Sequence, residues 1–445
     1  MRTALRWLAI SSLLLATTAD SLARTRPHYG GTLRLEMAAA NWQDNDALYS
    51  LVAETLTYVD ADGEPRPLLA TRWESQNGAR RWLFTIRQGV EWHDGLALSS
   101  EAVAESLRKA ARASELEGCR ISPSGDGAVV IESDTPMFNL PALLALGRFP
   151  VVRDDQGTPL GTGPFRVTRG SERRTTLSAF DQYWQGRPYL DSIEVTAGRS
   201  IRDQWMDAGI NRADIVTIPA EMLRRAQQER LRPISSGNVE LIVLQASSTG
   251  DNIDVLLRQA LAATVDRAAL LNFIFQRQGE VASGLLPGGL SGYATLFPSV
   301  PDAARVHELR AQAGQSRPLT IAYPAGDTTL ELVAERIALN ARETGLQAQA
   351  TAGSADFTVV RLPLASMNPQ VALAALAAQS EATRADYGDG IEELYRNERD
   401  LLSHAKLIPL LYLPRAYAVA EQVHDVRVTA LGQLDLHDAW IEDHR

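Results

Sequence analysis

Residues 67–113 string a strand, two turns and a capped helix together in close succession, and few folds accommodate that order. Trp82-Leu83-Phe84-Thr85-Ile86 is an aromatic and β-branched run, which predicts a strand. Gly89 and the Asp94-Gly95 pair punctuate the next segment as turns, because Gly tolerates positive φ and Asp can bond its own backbone. Ser99 then offers an N-cap oxygen and Glu101 sits in the first turn, where the helix dipole favours an anion. Val103, Leu107 and Ala110 recur at helical spacing.

The rest of the chain alternates in the same way. Residues 31–36 read as a strand, and so do 239–244 and 319–323; residues 329–343 read as a helix. Asp60-Ala61-Asp62-Gly63 reads as a solvated turn, since a calcium loop would need further carboxylates and a terminal Glu. Gly161-Thr162-Gly163-Pro164-Phe165 lacks the third glycine of a dinucleotide loop, Arg166 standing in its place, so an extended strand is expected from Phe165. Asp266 is placed to cap a second helix with Leu270, Leu271 and Ile274 on its buried face.

Composition narrows the function. A net charge of −10 argues against nucleic acid, whose phosphates demand a basic surface. Seven histidines and one cysteine are too few and scattered for a structural metal framework, so no metal and no cofactor is expected. Cys119 stands alone, which rules out an intramolecular disulfide, and a buried inert thiol is expected. There is no G-x-S-x-G elbow, Walker loop or H-E-x-x-H, and the expected catalytic set is none. Arg2 and Arg6, the apolar run 8–16 and Ser21-Leu22-Ala23 have the order of a secretory signal, shorter than the roughly 20 apolar residues a membrane span requires. Cleavage after Ala23 and a periplasmic protein without a lipid anchor are the expectation, to be checked by N-terminal sequencing of fractionated protein.

The run from Leu69 to Val103, with Trp73-Glu74, Phe84, Arg87, Gly89-Val90 and His93-Asp94-Gly95, resembles the extracellular solute-binding proteins of family 5, the peptide and nickel receptors of ABC importers. Gly161-Thr162-Gly163-Pro164-Phe165, Tyr183-Trp184 with Pro188, Leu190 and Asp191, the stretch from Arg258 to Arg267, and Ile408-Pro409-Leu410 match further elements of that family, in order. The resemblance implies an α/β fold of the periplasmic-binding-protein type (type II, cluster C-like), with two lobes, a hinge and a small inserted domain. Carried onto this chain, it gives a leader in 1–23, lobe I in 24–46, 161–245 and 403–445, an insert in 47–160, and a shortened lobe II in 246–402. It implies a monomer that captures a peptide-like or other small polar solute between its lobes and hands it to ABC permease subunits. The shortened second lobe keeps a rival reading open, a sensory or interaction protein that no longer serves import.

Glu36, Asn41, Trp42 and Gln245 are the expected ligand-facing residues, being placed after the first strand and at the lobe crossing. For Trp42 a packed core position is an equal alternative, and for Glu36 and Gln245 a solvated surface. Peptide receptors of the family carry an Asp-Tyr-x-Asp-Pro-like element whose first aspartate pairs with the ligand's ammonium; the corresponding region here runs from Asp356 to Pro369, and the expected acid is missing. Arg361 nearby points instead to an anionic or polar ligand group, against the competing readings of a surface arginine or one paired with Asp356 or Glu381 inside lobe II.

Overall fold

A computed structural model describes residues 27–442 except 113, 126, 172, 230, 248–252, 293–299, 314–316 and 379–389. The leader assigned to 1–23 lies outside the described residues. Period-two alternation buries Leu33 and Leu35 and makes the first strand, and the same logic recurs along a mixed sheet that runs through the whole molecule. Its main strands are β1 (Thr32–Glu36), β2 (Phe165–Gly170), β3 (Arg174–Ala179), β4 (Ser192–Thr196), β5 (Ile215–Ile218), β6 (Leu231–Ala246), β7 (Leu319–Tyr323), β8 (Ala348–Ala352), β9 (Phe357–Pro363) and β10 (Leu407–Ala420). Their spatial order is β2-β3-β4-β1-β5-β10-β6-β9-β7-β8, with Glu280–Val281 added against β10. β1 is parallel to β4 and β5, and β7 is parallel to β8 and β9; the remaining pairs are antiparallel.

Two long strands join the lobes. The far end of β10 pairs with β5 in the first lobe, while residues 240–246 of β6 pair with β9 in the second. Prolines do not fit a strand paired on both sides, because each lacks a donor. Here the register of β6 against β10 shifts opposite each of them, between Ile242 and Val243 facing Pro409, and around Asn238 facing Pro414. At the second bulge the Ser236 hydroxyl accepts a hydrogen bond from the Arg415 backbone N–H at 3.0 Å. The strand expected over 239–244 is therefore the inner part of a much longer one.

The small domain is a four-stranded antiparallel sheet, Ala70–Gln76, Arg81–Ile86, Ala128–Glu132 and Arg120–Ser124, covered by the helix Ser100–Ala110. Ser99 caps that helix as expected, accepting from the Ala102 N–H at 3.3 Å, and Val103 and Leu107 are fully buried. Phe84, Trp92 and Phe149 fill its core. Asp266 caps as expected too, but the helix it starts, Arg267–Ala269, opens at once into a π-turn over Leu270–Ile274, with only Leu270 buried in that turn. Cys119 is half-buried and not the buried thiol expected; its sulfur faces that of Met137 at 3.7 Å. Among the described residues no helix is long and apolar enough to cross a membrane.

A carboxylate and an imidazole fasten the small domain to the first lobe. Glu54 is 5% exposed and accepts hydrogen bonds from the Thr162 hydroxyl at 2.8 Å, the Tyr183 hydroxyl at 2.9 Å and the Trp184 indole at 3.1 Å. His93, on the other side of the same turn, accepts from the Gly161 N–H at Nδ1 and donates from Nε2 to the Gly163 carbonyl at 3.1 Å. Gly161 and Gly163 are required there: a Cβ on either would sit within 2.4 Å of a backbone oxygen of Val52 or Leu51.

Candidate functional site

Two adjoining chambers open between the second lobe and the rest of the molecule. The smaller, about 660 Å³, is walled by the loop after β1, by the small domain and by the segment following β9, with Arg415 entering from the hinge. The larger, about 1000 Å³, lies between the small domain and the second lobe. Ala61, Leu364 and Ala430 line both. Each volume is of the size that takes a small organic ligand.

The loop after β1 is built by consecutive caps. The Asn41 carboxamide oxygen accepts from the Gln43 N–H at 3.0 Å and starts the 3-10 turn Trp42–Asp44. Asn45 repeats this at the helix Asp46–Ser50, accepting from the Leu48 N–H at 3.2 Å. The result is Asp46 at the first position of the helix, directed into the smaller chamber and lying over Gly147, where a Cβ would come within 2.9 Å of its carboxyl carbon. Asp46 is open to the cleft but surrounded by its walls. Desolvation raises its pKa above the usual carboxylate range, and the Arg415 and Arg148 charges oppose the rise.

Arg415 is the uncommitted cation of this chamber. Arg148 is held by Glu115, with Nε to Oε2 at 3.1 Å, and stacks over Phe149. Asp60 is likewise taken by Arg66. The Arg415 side chain makes no ion pair among the described residues, and its aliphatic stem lies against Gly432, where a Cβ would meet it at 2.7 Å. Leu362, Pro363, Leu364 and Ala365, within the region where peptide receptors carry the acid, line the same chamber. The acids at this chamber come from the other walls, Asp44 and Asp46 on the loop after β1 and Asp60, already paired with Arg66, on the small domain.

None of the five residues expected from sequence lines either chamber. Glu36 is buried at the end of β1 and paired with Arg199 at 3.3 Å, Arg199 also holding Asp207. Trp42 is 4% exposed in the first-lobe core, its ring 6.0 Å from that of Tyr49. Asn41 is a capping residue for the loop that delivers Asp46. Gln245 sits in β6 between Thr358 and Leu407. Arg361 is half-buried and bridges Glu240 at 3.2 Å and Asp327 at 3.3 Å; burial opposes its charge, and the carboxylates, Glu240 foremost, raise its pKa above the ordinary value. Asp356, one partner suggested for it, binds Arg317 instead, and Glu381, the other, lies outside the described residues. Sequence reading passed over Asp46 and Arg415; the signals available were the Asp44-Asn45-Asp46 run and an arginine directly after Pro414.

The small domain meets the second lobe where Val371 and Ala365 pack against its core, and at a close backbone contact of Gly63. Gly63, with φ of +85°, brings its Cα so near the Met367 carbonyl that a Cβ would stand 2.7 Å from the oxygen. The Asn368 carboxamide approaches the Gly63 carbonyl at 3.5 Å. Gly63→Ala is expected to hold the walls apart and to strain the turn by about 1 kcal/mol. Small-angle scattering of the ligand-free variant should show a larger radius of gyration than the parent; identical curves would show that the contact does not govern closure.

Among the described residues no three His, Cys, Asp or Glu side chains gather as a metal centre would require.

The family model for bacterial extracellular solute-binding proteins, family 5 (middle), matches residues 64–385. The chain belongs to that family. The dipeptide-binding protein of Escherichia coli is 23% identical over 270 residues, covering 51% of this chain and 50% of that protein. NikA from Staphylococcus aureus, solved with Ni(L-His)2, superposes with a TM-score of 0.76 at 18% identity, over 92% of this chain and 100% of that one. AppA from Bacillus subtilis, solved with a nonapeptide, gives a TM-score of 0.79 at 15% identity, over 94% of this chain and 100% of that one. These likenesses show the fold. This family member spans only part of the curated relatives it matches, 26%, 61% and 50% of the length of three of them.

Proposed function

We propose that this family 5 protein captures a small solute carrying both a carboxylate and an amino group, and delivers it to the permease of an ABC importer. The observation that carries the reading is the uncommitted Arg415 guanidinium facing a chamber whose other wall presents Asp46. A guanidinium offers a fork of donors matched to a carboxylate, and a carboxylate surrounded by protein is the natural partner of an ammonium. Arg415 disfavours a bare cation and Asp46, with Asp44 beside it, disfavours a bare anion, whereas a zwitterion satisfies both walls. Peptides and amino-acid chelates, the ligands of the relatives named above, contain both groups.

In this reading the lobes pivot at the paired bulges around 236–238 and 414–415, inside the two long strands. Ligand would bridge Arg415 at the hinge, Asp46 on the first lobe and the 362–365 segment on the second, so that binding favours the closed arrangement. The mature chain is exported, works as a monomer and presents its closed face to the permease. In this reading the ligand's ammonium is met from the first lobe, by Asp46.

Native mass spectrometry of protein purified from its own periplasm, followed by calorimetry with the released compound, tests this. A bound zwitterion is expected. Retention of a simple inorganic ion alone, or selective binding of cations lacking a carboxylate, would sink the reading.

A further inference from the structure

The larger chamber differs chemically from the smaller one. Trp73 and Trp82 stand on one face of the small sheet, with ring centroids 6.3 and 6.2 Å from that of the fully buried Phe84. Both line the cavity, but Trp82 is buried and donates its indole N–H to the Met137 carbonyl at 3.1 Å, so Trp73 offers the more open ring. Phe138, about half-exposed, adds a third ring. Around them the chamber presents the carboxamides of Asn139, Asn238 and Gln370, none of which makes a side-chain hydrogen bond to the rest of the protein among the described residues. No basic side chain lines it among the described residues; its charged members, Asp62 and Glu64, are exposed.

This lining discriminates between occupants. An apolar side chain would stack on the rings but leave three carboxamides dehydrated and unpaired, a loss for each. An anion would find two carboxylates and no counter-charge. A cation would be drawn only to Asp62 and Glu64, which solvent screens. A neutral sugar ring meets every requirement: its C–H face lies on aromatic rings, and each hydroxyl, donor and acceptor at once, matches a carboxamide that is also both. We propose that the larger chamber binds a neutral sugar ring, and that the solute of this protein is an amino acid or short peptide conjugated to a sugar, its charged end at Arg415 and Asp46 and its sugar against Trp73 and Asn238. The identity of the conjugate rests on the zwitterion reading; the sugar chamber does not. The chambers adjoin along Ala61, Leu364 and Ala430, which gives one ligand access to both.

Calorimetry with serine, O-glucosylserine and methyl glucoside, on the parent protein and on Asn238→Ala, Trp73→Phe and Arg415→Ala, separates the two. Glucosylserine should bind at least tenfold tighter than serine. Asn238→Ala should erase most of that gain, read as the ratio of glucosylserine to serine affinity so that any effect of the hinge position on closure cancels. Trp73→Phe should reduce the gain while leaving serine binding unchanged, whereas Arg415→Ala should weaken both. Equal affinities for serine and glucosylserine would overturn the sugar chamber. So would a gain from an N-acetylated peptide amide of similar size that matches the gain from the sugar. Asn238-dependent binding of methyl glucoside with no binding of serine would sustain the chamber and sink the zwitterion reading.

Discussion

Arg415→Ala is expected to weaken binding of a carboxylate-bearing zwitterion by roughly 30- to 100-fold, about 2–3 kcal/mol, because the ligand's anion would be desolvated against no counter-charge. The loss should appear in the dissociation rate, as it does when one partner of a buried hydrogen-bonded charge pair is removed. Arg361→Ala is the matched control: it removes a guanidinium already committed to Glu240 and Asp327 and outside both chambers, so it should cost stability with little change in affinity. Stopped-flow kinetics and calorimetry on both variants, with thermal unfolding run alongside, check the pair. If Arg361→Ala weakened binding and Arg415→Ala did not, the charged chamber would have been assigned to the wrong arginine. Arg415→Lys should recover only part of the loss, since it keeps the charge and forfeits the fork.

The second large effect concerns pH and the fastening of the small domain. Burial pushes the Glu54 carboxyl up to about 7 from an ordinary 4.5, against the three hydrogen bonds that oppose the shift. Burial pushes His93 down to about 4 from 6.5, the Gly163 hydrogen bond opposing. A raised acid contributes stability that is fully present below pH 4.5 and is lost as pH rises through about 7. A depressed base contributes stability that is present above pH 6.5 and lost as pH falls through about 4. Across pH 4.5–6.5 the two slopes oppose each other, so the parent protein should be flatter than either group alone would make it. Glu54→Gln keeps the shape and removes one slope. The stability difference between parent and Glu54→Gln should therefore widen in favour of the parent by on the order of 3 kcal/mol as pH falls from 7 to 4.5. Denaturant titrations of both proteins at those two pH values measure this directly; parallel profiles would show that Glu54 does not titrate in that window. The Tyr183 hydroxyl and the Arg87 guanidinium, which lies 4.2 Å over the Trp184 ring, are present in both proteins and cancel in the comparison.

The elements were legible wherever the cause was local. Ser99 and Asp266 capped helices because a side-chain oxygen two or three residues from a free N–H is a property of the sequence itself. The strand at Leu319–Tyr323 and the helix at Thr328–Glu343 followed from apolar periods that any tertiary setting would honour. The order of motifs from Leu69 to Leu410 carried the family, and with it the fold. What sequence could not supply was convergence. Trp42 and Glu36 lie at the right point in the chain, but the fold packs one into the first-lobe core and pairs the other with Arg199. Arg361 has the right chemistry, and Glu240, 121 residues away, neutralises it. Asp46, Arg148 and Arg415 carry no local mark that sets them apart. They line one chamber because a hinge bulge opposite Pro414, a cap at Asn45 and a glycine at 147 bring three distant segments together. Caps and apolar periods could be read along the chain, and the order of motifs carried the family, but the length of the strand around 239–244 and the π-turn after Asp266 could not be read there. Which charges are neutralised within the protein and which face a chamber unpaired is settled only in three dimensions, since pairing depends on contacts between segments that the chain separates.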